Sequence, residues 1–320
     1  MGTVKLSIVA PCYNEEEVIS EFYRRLSDSC LDAVPSGEFE MIFVNDGSID
    51  STPQILLDLT RNDERVVFVD LFRNHGHQLA VSAGLMQAQG DRVMLIDADL
   101  QDPPELLPDF MRKMNEGFDV VYGQRISREG ETTFKRSSAA LFYRFMSRLS
   151  SPPIPVDTGD FRLLTREVVE QLNRMPESHR FIRGMVAWIG GRQTPLQYER
   201  ASRFAGETKY TLSKMVRLAF DAITGFSDAP LRLAIMMSVA ATVVALSMIV
   251  YVIISFFFFE PAPGWTSLGI IMLVFSAVQL FCIGILGEYV GRIFVQAKQR
   301  PLTHVRAIIR GGTQSKHGDT

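Results

Sequence analysis

Between residues 6 and 122, short runs rich in β-branched and aromatic residues alternate with longer stretches whose apolar positions recur every three to four residues. Runs at 6–10, 39–44, 66–70, 93–97 and 119–122 predict strands. Stretches at 15–29, 52–61, 77–89 and 104–115 predict helices. Strands alternating with helices in this way predict an α/β domain with a mainly parallel sheet covered on both faces. Asp102, followed by Pro103 and Pro104, predicts a helix start with a capping carboxylate and prolines in the first turn. Ligands of open α/β sheets bind beyond the carboxyl ends of the strands, so the residues just after each strand matter most.

The pattern changes after Arg232. Residues 233–259 and 261–287 are two runs of 27 residues without Asp, Glu, Lys or Arg, separated by Glu260 alone. A membrane-crossing helix needs about 20 apolar residues, so the pair predicts a transmembrane hairpin turning at Glu260-Pro261-Ala262-Pro263-Gly264. Arg232 precedes the first span, and Arg292, Lys298, Arg300, Arg306 and Arg310 follow the second, while the connecting loop has no Lys or Arg. The positive-inside rule then places the N-terminal region and the tail in the cytoplasm, at the plasma (inner) membrane. Trp265 and Tyr289, near span ends, suit the interface. No signal peptide is expected, because residues 1–5 are too short for one before the first strand. The expected organisation is a domain at 1–210, an amphipathic juxtamembrane helix at 211–232, two spans within 233–291 and a basic tail at 292–320. Leu212, Met215, Val216, Ala219, Ile223 and Phe226 form one helical stripe, and Leu141, Phe142, Phe145, Met146 and Leu149 another. Either stripe suits an interfacial helix or an ordinary core-facing one.

Composition alone conceals this division. The chain has 320 residues, 22% of them charged, and a net charge of −3. Its mean hydropathy of +0.09 is high for that charge content. From Glu288 onward there are six basic and two acidic side chains, and with Glu260 also set apart this leaves −6 for residues 1–232. The acidic balance argues against a nucleic-acid binder, and a basic tail beside a cytoplasmic leaflet is attracted to anionic lipid. Cys12, Cys30 and Cys282 lack the spacing of a disulfide framework or a zinc site.

The predicted strand ends are polar. Pro11-Cys12-Tyr13-Asn14-Glu15-Glu16 follows the first, Asn45-Asp46-Gly47-Ser48 the second and Arg73-Asn74-His75-Gly76 the third. The fourth ends in Asp97-Ala98-Asp99-Leu100-Gln101-Asp102. Neither the Gly-x-Gly-x-x-Gly fingerprint nor the P-loop pattern is present, which argues against a dinucleotide dehydrogenase or a P-loop kinase. Asp97 and Asp99 offer carboxylate oxygens to a hard divalent cation, with Gln101 adding a carbonyl oxygen. Such a cation would also bind substrate phosphates and act as a Lewis acid on a diphosphate leaving group. A solvated strand end is the plainer meaning of Asp-x-Asp taken alone. His75 and His77 lack a third ligand nearby and are not expected to bind metal.

The segments PCYNEEE (11–17), VNDGSID (44–50), FRNHGH (72–77), DADLQDPPE (97–105), TGDFRLL (158–164) and the double span ending GEYVGR (287–292) resemble family 2 glycosyltransferases of the GT-A fold. They are most similar to the polyprenyl-phosphate branch: bactoprenol (undecaprenyl-phosphate) glucosyltransferases of O-antigen modification and, more distantly, dolichol-phosphate mannose synthase. The resemblance covers about residues 6–301. It implies a nucleotide-sugar donor with UDP-glucose the first choice, a polyprenyl (undecaprenyl) phosphate acceptor, Mg2+ or Mn2+, and possibilities for self-assembly, since some relatives are tetramers. Ser238, Ala240, Ala241, Gly284 and Gly287 permit close packing of spans.

The roles implied by the resemblance are these. Pro11, Tyr13, Asn14 and Glu15 lie where the family holds the nucleoside, Asp46 meets the base or ribose, and Asp97 and Asp99 with Gln101 hold the metal. Arg125 meets the acceptor phosphate, with Lys135 and Arg136 adding charge. Arg200, Arg203 and Lys209 belong to a mobile loop closing over the phosphates. Asp160 stands where many inverting members carry a catalytic carboxylate. A phosphate monoester is already largely dianionic at pH 7, so Asp160 has a positioning alternative to proton abstraction, and an ion pair with Arg162 is a further one. Two rival functions stay open: a processive polysaccharide synthase and a membrane-anchored nucleotide-sugar-binding protein without turnover. The Gln-x-x-Arg-Trp element of the first is missing, the nearest string being Gln171-Leu172-Asn173-Arg174-Met175.

Overall fold

The computed structural model describes residues 4–126, 158–199, 229–258, 264–311 and 313–315. The chain forms two compact units, residues 1–215 with 300–320, and residues 216–299.

The first unit is built on a sheet of nine strands among the described residues, in the order β7-β5-β6-β4-β1-β2-β3-β8-β9. The strands β1 (Leu6–Cys12), β2 (Phe39–Asn45), β3 (Val66–Leu71) and β4 (Arg92–Leu95) are parallel neighbours. The helices α1 (Ile19–Ala33), α2 (Thr52–Asn62) and α3 (His77–Gln87) connect them. β2 is buried along its whole length, as expected of a strand covered on both faces. All four central strands lie where the hydrophobic pattern predicts them, with ends shifted by one or two residues. This mainly parallel α/β arrangement is the one the GT-A resemblance implies.

Beyond β4 the sheet becomes mixed. A single 3₁₀ turn (Pro104–Leu106) leads into α4 (Leu107–Met114), then β5 (Val120–Arg125). β6 (Thr158–Thr165) inserts antiparallel between β4 and β5, and β7 (Gln193–Tyr198) adds parallel to β5. Between β6 and β7 lie α5 (Arg166–Arg174) and α6 (Ile182–Ile189). Edge-to-face contacts of Phe161 with Phe110 at 4.7 Å and with Tyr198 at 5.5 Å tie β6 to its neighbours.

At the other edge, the reading of residues 292–320 as a tail misses an element. β8 (Val305–Arg310) pairs antiparallel with β3, and β9 (Thr313–Ser315) pairs with β8. The sequence VRAIIR carries arginines at both ends, which hides a strand whose middle residues, Ala307 and Ile308, are buried.

The second unit is a pair of long helices, α7 (Ala229–Phe258) and α8 (Trp265–Ala297). Pro230–Tyr251 and Ile270–Ala297 are long and apolar enough to cross a membrane, and only 6% of each apolar window is buried. So much uncovered apolar surface is stable in lipid, not in water. Cys282 Sγ lies 3.6 Å from the Ala234 carbonyl and 3.7 Å from Ser238 Oγ, linking the two helices. α8 continues past Gly287, and Glu288 and Arg292 within it form an ion pair at 2.9 Å, which lowers the cost of placing charge in a span.

Candidate active site

The carboxyl ends of β1 to β4 open on one side of the sheet, and hydrogen bonds lace their loops together. After β1, Asn14 adopts a left-handed conformation (φ 54°). Its backbone N–H donates to Ser48 Oγ at 3.0 Å, and its Oδ1 accepts from the Ile49 N–H at 2.9 Å. The Glu15 N–H donates to Thr52 Oγ1 at 2.9 Å. Pro11 is the penultimate residue of β1, and Tyr13 is exposed beside it. Both therefore lie at the carboxyl end of β1, while the Asn14 side chain is engaged in joining the first two loops.

Asp46 is buried, and its two oxygens accept the backbone N–H groups of His75 at 2.7 Å and Gly76 at 2.9 Å. It thereby holds the loop after β3. Burial raises its pKa, partly offset by these two N–H donors. Gly47 follows with φ +67°, and a Cβ there would stand 2.5 Å from both Arg73 C and Asn74 N. Glycine is required for the second and third loops to approach so closely.

The β4–β6 pairing ends at Leu95↔Arg162, and just beyond it Asp97 and Asp160 converge on one side chain, the His77 imidazole. Asp160 is buried and its carboxylate is fully engaged. Oδ1 accepts from Arg183 Nε at 2.9 Å, and Oδ2 accepts from Gln78 Nε2 at 2.8 Å and meets His77 Nε2 at 3.0 Å. Burial alone would raise its pKa, but Arg183, His77 and Arg162 hold it well below the usual carboxylate range. His77 Nε2 also lies 3.6 Å from Asp97 Oδ1. Burial lowers the imidazole pKa, yet Asp97 and Asp160 outweigh it and raise the value to about 9, so the ring is a cation at pH 7. Asp97 is pushed up to about 6, first by burial, with Asp160, Asp102 and Asp99 adding repulsion and His77 opposing.

The turn after Asp97 is tight. Leu100 has φ 57° although its side chain is buried, and the Gln101 N–H donates to Asp99 Oδ1 at 3.1 Å. Gln101 Oε1 is buried with no hydrogen-bond partner among the described residues. Two carboxylates, one with its pKa raised chiefly by burial, on the same turn as an unsatisfied carbonyl oxygen fit a hard divalent cation. No group of three or more His, Cys, Asp or Glu among the described residues is arranged to hold a metal by itself. The remaining ligands would have to come from substrate and water.

Asp102 does not cap the following helix. It is fully buried and accepts a hydrogen bond from the Tyr198 hydroxyl, and Arg125 Nη2 lies 3.6 Å from its Oδ1. Arg125 Nε also faces the Tyr198 oxygen at 3.3 Å. Gly159 makes room for this arginine, since a Cβ there would stand 2.9 Å from Nη2. Arg125 is therefore held at the end of β5, next to the strand that carries Asp160.

Sequence reasoning missed His77, Gln78, Arg183, Asp102 and Tyr198 as members of this cluster. His77 and Gln78 sit at a helix start just after β3, where the strand-end rule could have flagged them. Arg183 and Tyr198 carried no such signal. The alternative of an Asp160–Arg162 ion pair is not what forms: Asp160 pairs with Arg183, while Arg162 Nη2 donates to the Gly159 carbonyl at 2.9 Å. Lys135, Arg136, Arg200, Arg203, Lys209 and both amphipathic stripes lie outside the described residues.

Comparison with known proteins adds names to this geometry. The family model described as glycosyl transferase family 2 matches residues 7–172, and that described as the GtrB C-terminal hairpin matches residues 229–293. The chain is 46% identical over 303 residues to the uncharacterized glycosyltransferase YkcC of Bacillus subtilis (strain 168), covering 93% of this chain and 92% of that one. It is 38% identical over 299 residues to the prophage bactoprenol glucosyl transferase homolog of Escherichia coli (strain K12), covering 93% and 97%. It is 39% identical over 299 residues to the bactoprenol glucosyl transferase of Shigella phage SfV, with the same coverage of 93% and 97%.

Proposed function

Because the chain belongs to glycosyl transferase family 2, with the C-terminal hairpin of the bactoprenol-type members, we propose that it transfers one hexose from a nucleotide-diphosphate sugar to polyprenyl phosphate, with inversion at the anomeric carbon. The observation that carries this reading is the Asp97–Asp99 turn in a unit whose chain leaves for a membrane hairpin and then returns to the same sheet as β8. A lipid-borne acceptor explains why a sugar-nucleotide enzyme has that anchor. The names of the bactoprenol relatives support polyprenyl phosphate as acceptor and glucose as the sugar, with UDP-glucose the donor to test first. The arginines and lysines that flank the two spans support a cytoplasmic-face location for the α/β unit.

In the mechanism, Pro11, Tyr13 and Glu15 line the nucleoside side of the cleft, while Asn14 and Asp46 set the loops around it. Asp97, Asp99 and Gln101 would hold Mg2+ or Mn2+, which neutralises charge on the diphosphate leaving group. An oxygen of the lipid phosphate attacks the anomeric carbon as the bond to the nucleoside diphosphate breaks on the opposite face. The phosphate has already lost its proton at pH 7, so no base is needed. Asp160 suits this division of labour. A carboxylate with a depressed pKa and both oxygens engaged is a poor proton acceptor, and it instead fixes His77 and Arg183 at the reacting end of the sheet. Arg125, with its planar fork held by Asp102 and Tyr198, is the described residue we assign to phosphate. Lys135, Arg136, Arg200, Arg203 and Lys209 are assigned the remaining phosphate contacts.

The test is a radiolabelled-donor assay on the full-length protein with undecaprenyl phosphate, run across a panel of nucleotide sugars. A lipid-linked monosaccharide is the expected product, with inverted configuration. A polymer would point to a processive synthase, and nucleotide-sugar binding without any product to a non-catalytic anchor.

A further inference from the structure

The strand that follows the membrane hairpin does more than lengthen the sheet. The His304 carbonyl accepts the Phe72 N–H at 3.0 Å, and the His304 N–H donates to His75 Nε2 at 3.4 Å, so the chain entering β8 grips the loop after β3 from both sides. Arg306 lies over the Phe72 ring at 5.2 Å, donates to the Phe72 carbonyl at 3.2 Å through Nη2, and donates to Asp70 Oδ2 at 3.2 Å through Nη1. The other oxygen of Asp70 accepts from Asn45 Nδ2 at 2.7 Å. Asn45 Oδ1 accepts the Ser48 N–H at 3.0 Å, and Ser48 Oγ accepts the Asn14 N–H at 3.0 Å. An unbroken chain of hydrogen bonds thus runs from Arg306 through the loop after β2 to the loop after β1. A second route runs from His304 and Arg306 through Phe72 to the His75 and Gly76 amides that Asp46 holds.

We propose that the segment His304–Arg306 is a working part of the transferase site, and that Arg306 is a positioning residue that sets the three nucleoside-side loops through Asp70, Asn45 and Phe72. The inference rests on the glycosyltransferase reading above and extends it. Donor binding depends on the chain that has left the membrane, and residues 298–304 are all that separates that strand from the second span. Arg306 touches neither Asp97 nor Asp99 in this arrangement, so its influence falls on the donor side of the reaction. Lysine at this position keeps one of the two donor contacts, whereas alanine keeps none.

The experiment compares wild type, Arg306→Ala and Arg306→Lys as full-length proteins in lipid nanodiscs. UDP binding is measured by calorimetry, and KM for the sugar nucleotide and for the lipid phosphate by product formation. Backbone hydrogen exchange is followed in peptides covering residues 45–50 and 72–77. Arg306→Ala is expected to raise the donor KM and the UDP dissociation constant by about three- to thirtyfold, the range seen for residues that couple through a network. The lipid KM should stay within about twofold of wild type, exchange should rise in both peptides, and Arg306→Lys should recover part of each effect. A lowered melting temperature with unchanged donor KM and unchanged loop exchange in the folded protein would overturn the proposal and leave Arg306 a surface ion pair. If wild type binds no sugar nucleotide, the transferase reading fails. The exchange of the two loops then still decides whether Arg306 positions them.

Discussion

Asp97 and Asp99 differ in what surrounds them, and the difference bears on how each responds to change. Asp97 shares the His77 cation with Asp160, whereas Asp99 closes the Leu100 turn through the Gln101 N–H. Asp99→Ala is expected to lower transfer by about a hundredfold or more, the usual loss when transition-state charge goes unstabilised. The span sequences are untouched, so membrane insertion is unchanged. Turnover at the wild-type rate by this variant would remove the metal assignment. His77 makes a separate prediction in metal-free buffer. Its folded-state pKa of about 9 lies above the ordinary 6.5. Its contribution to stability is therefore fully present below pH 6.5 and is lost as pH rises through about 9. Thermal unfolding in the presence of a chelator should show that decline, and His77→Gln should flatten it over the same window.

The elements of the site explain which parts of it were legible in the amino-acid pattern. β1 to β4 and the helices between them announce themselves through local periodicity, and Asp97 and Asp99 through their place at a strand end. The partners of Asp160 come from α3 and α6, so no local pattern links Gln78 or Arg183 to it. β6 is buried almost throughout, but Asp160 and Arg162 interrupt its apolar run, so it registered as a motif and not as a strand. Asp102 looked like a helix cap because prolines follow it, yet tertiary contact with Tyr198 claims its carboxylate. Gly47 shows how closely two elements depend on one residue. Gly47→Ala would put a Cβ against the backbone of Arg73 and Asn74 at a positive φ. The expected cost is about 1–3 kcal/mol of stability, with a raised donor KM as the second and third loops separate. Denaturant unfolding and donor titration of the same preparation check both.

At the scale of the whole molecule, the polypeptide crosses from an acidic α/β unit into two apolar helices and then comes back to complete the sheet. The return has an electrostatic anchor. Glu40 is buried in β2, where Oε1 accepts from Ser7 Oγ at 2.6 Å and from the Gln89 N–H at 2.7 Å. Oε2 pairs with Arg310 at 2.7 Å, and the same guanidinium donates to the Gln87 carbonyl at 2.8 Å. Removing one partner of a buried pair leaves a charge without compensation, at a cost of about 3–5 kcal/mol for a fully buried pair. Arg310 is partly exposed, so Arg310→Ala should cost less, about 2–3 kcal/mol by the same reasoning. The charge on Glu40 is the source of that cost. Glu40→Gln in the Arg310→Ala background should therefore recover a large part of the loss, because a neutral amide keeps the Ser7 and Gln89 contacts without a stranded anion. Urea unfolding of the three proteins in detergent, followed by a signal from the α/β unit, tests this. If the double variant is no more stable than Arg310→Ala, the anchor is packing of β8 on β3 and not the ion pair. The pair also gives the chain an order of assembly: β3 stays an open edge and Glu40 an unpaired charge until the residues beyond the second span have been made, so the sheet is finished only after the hairpin exists.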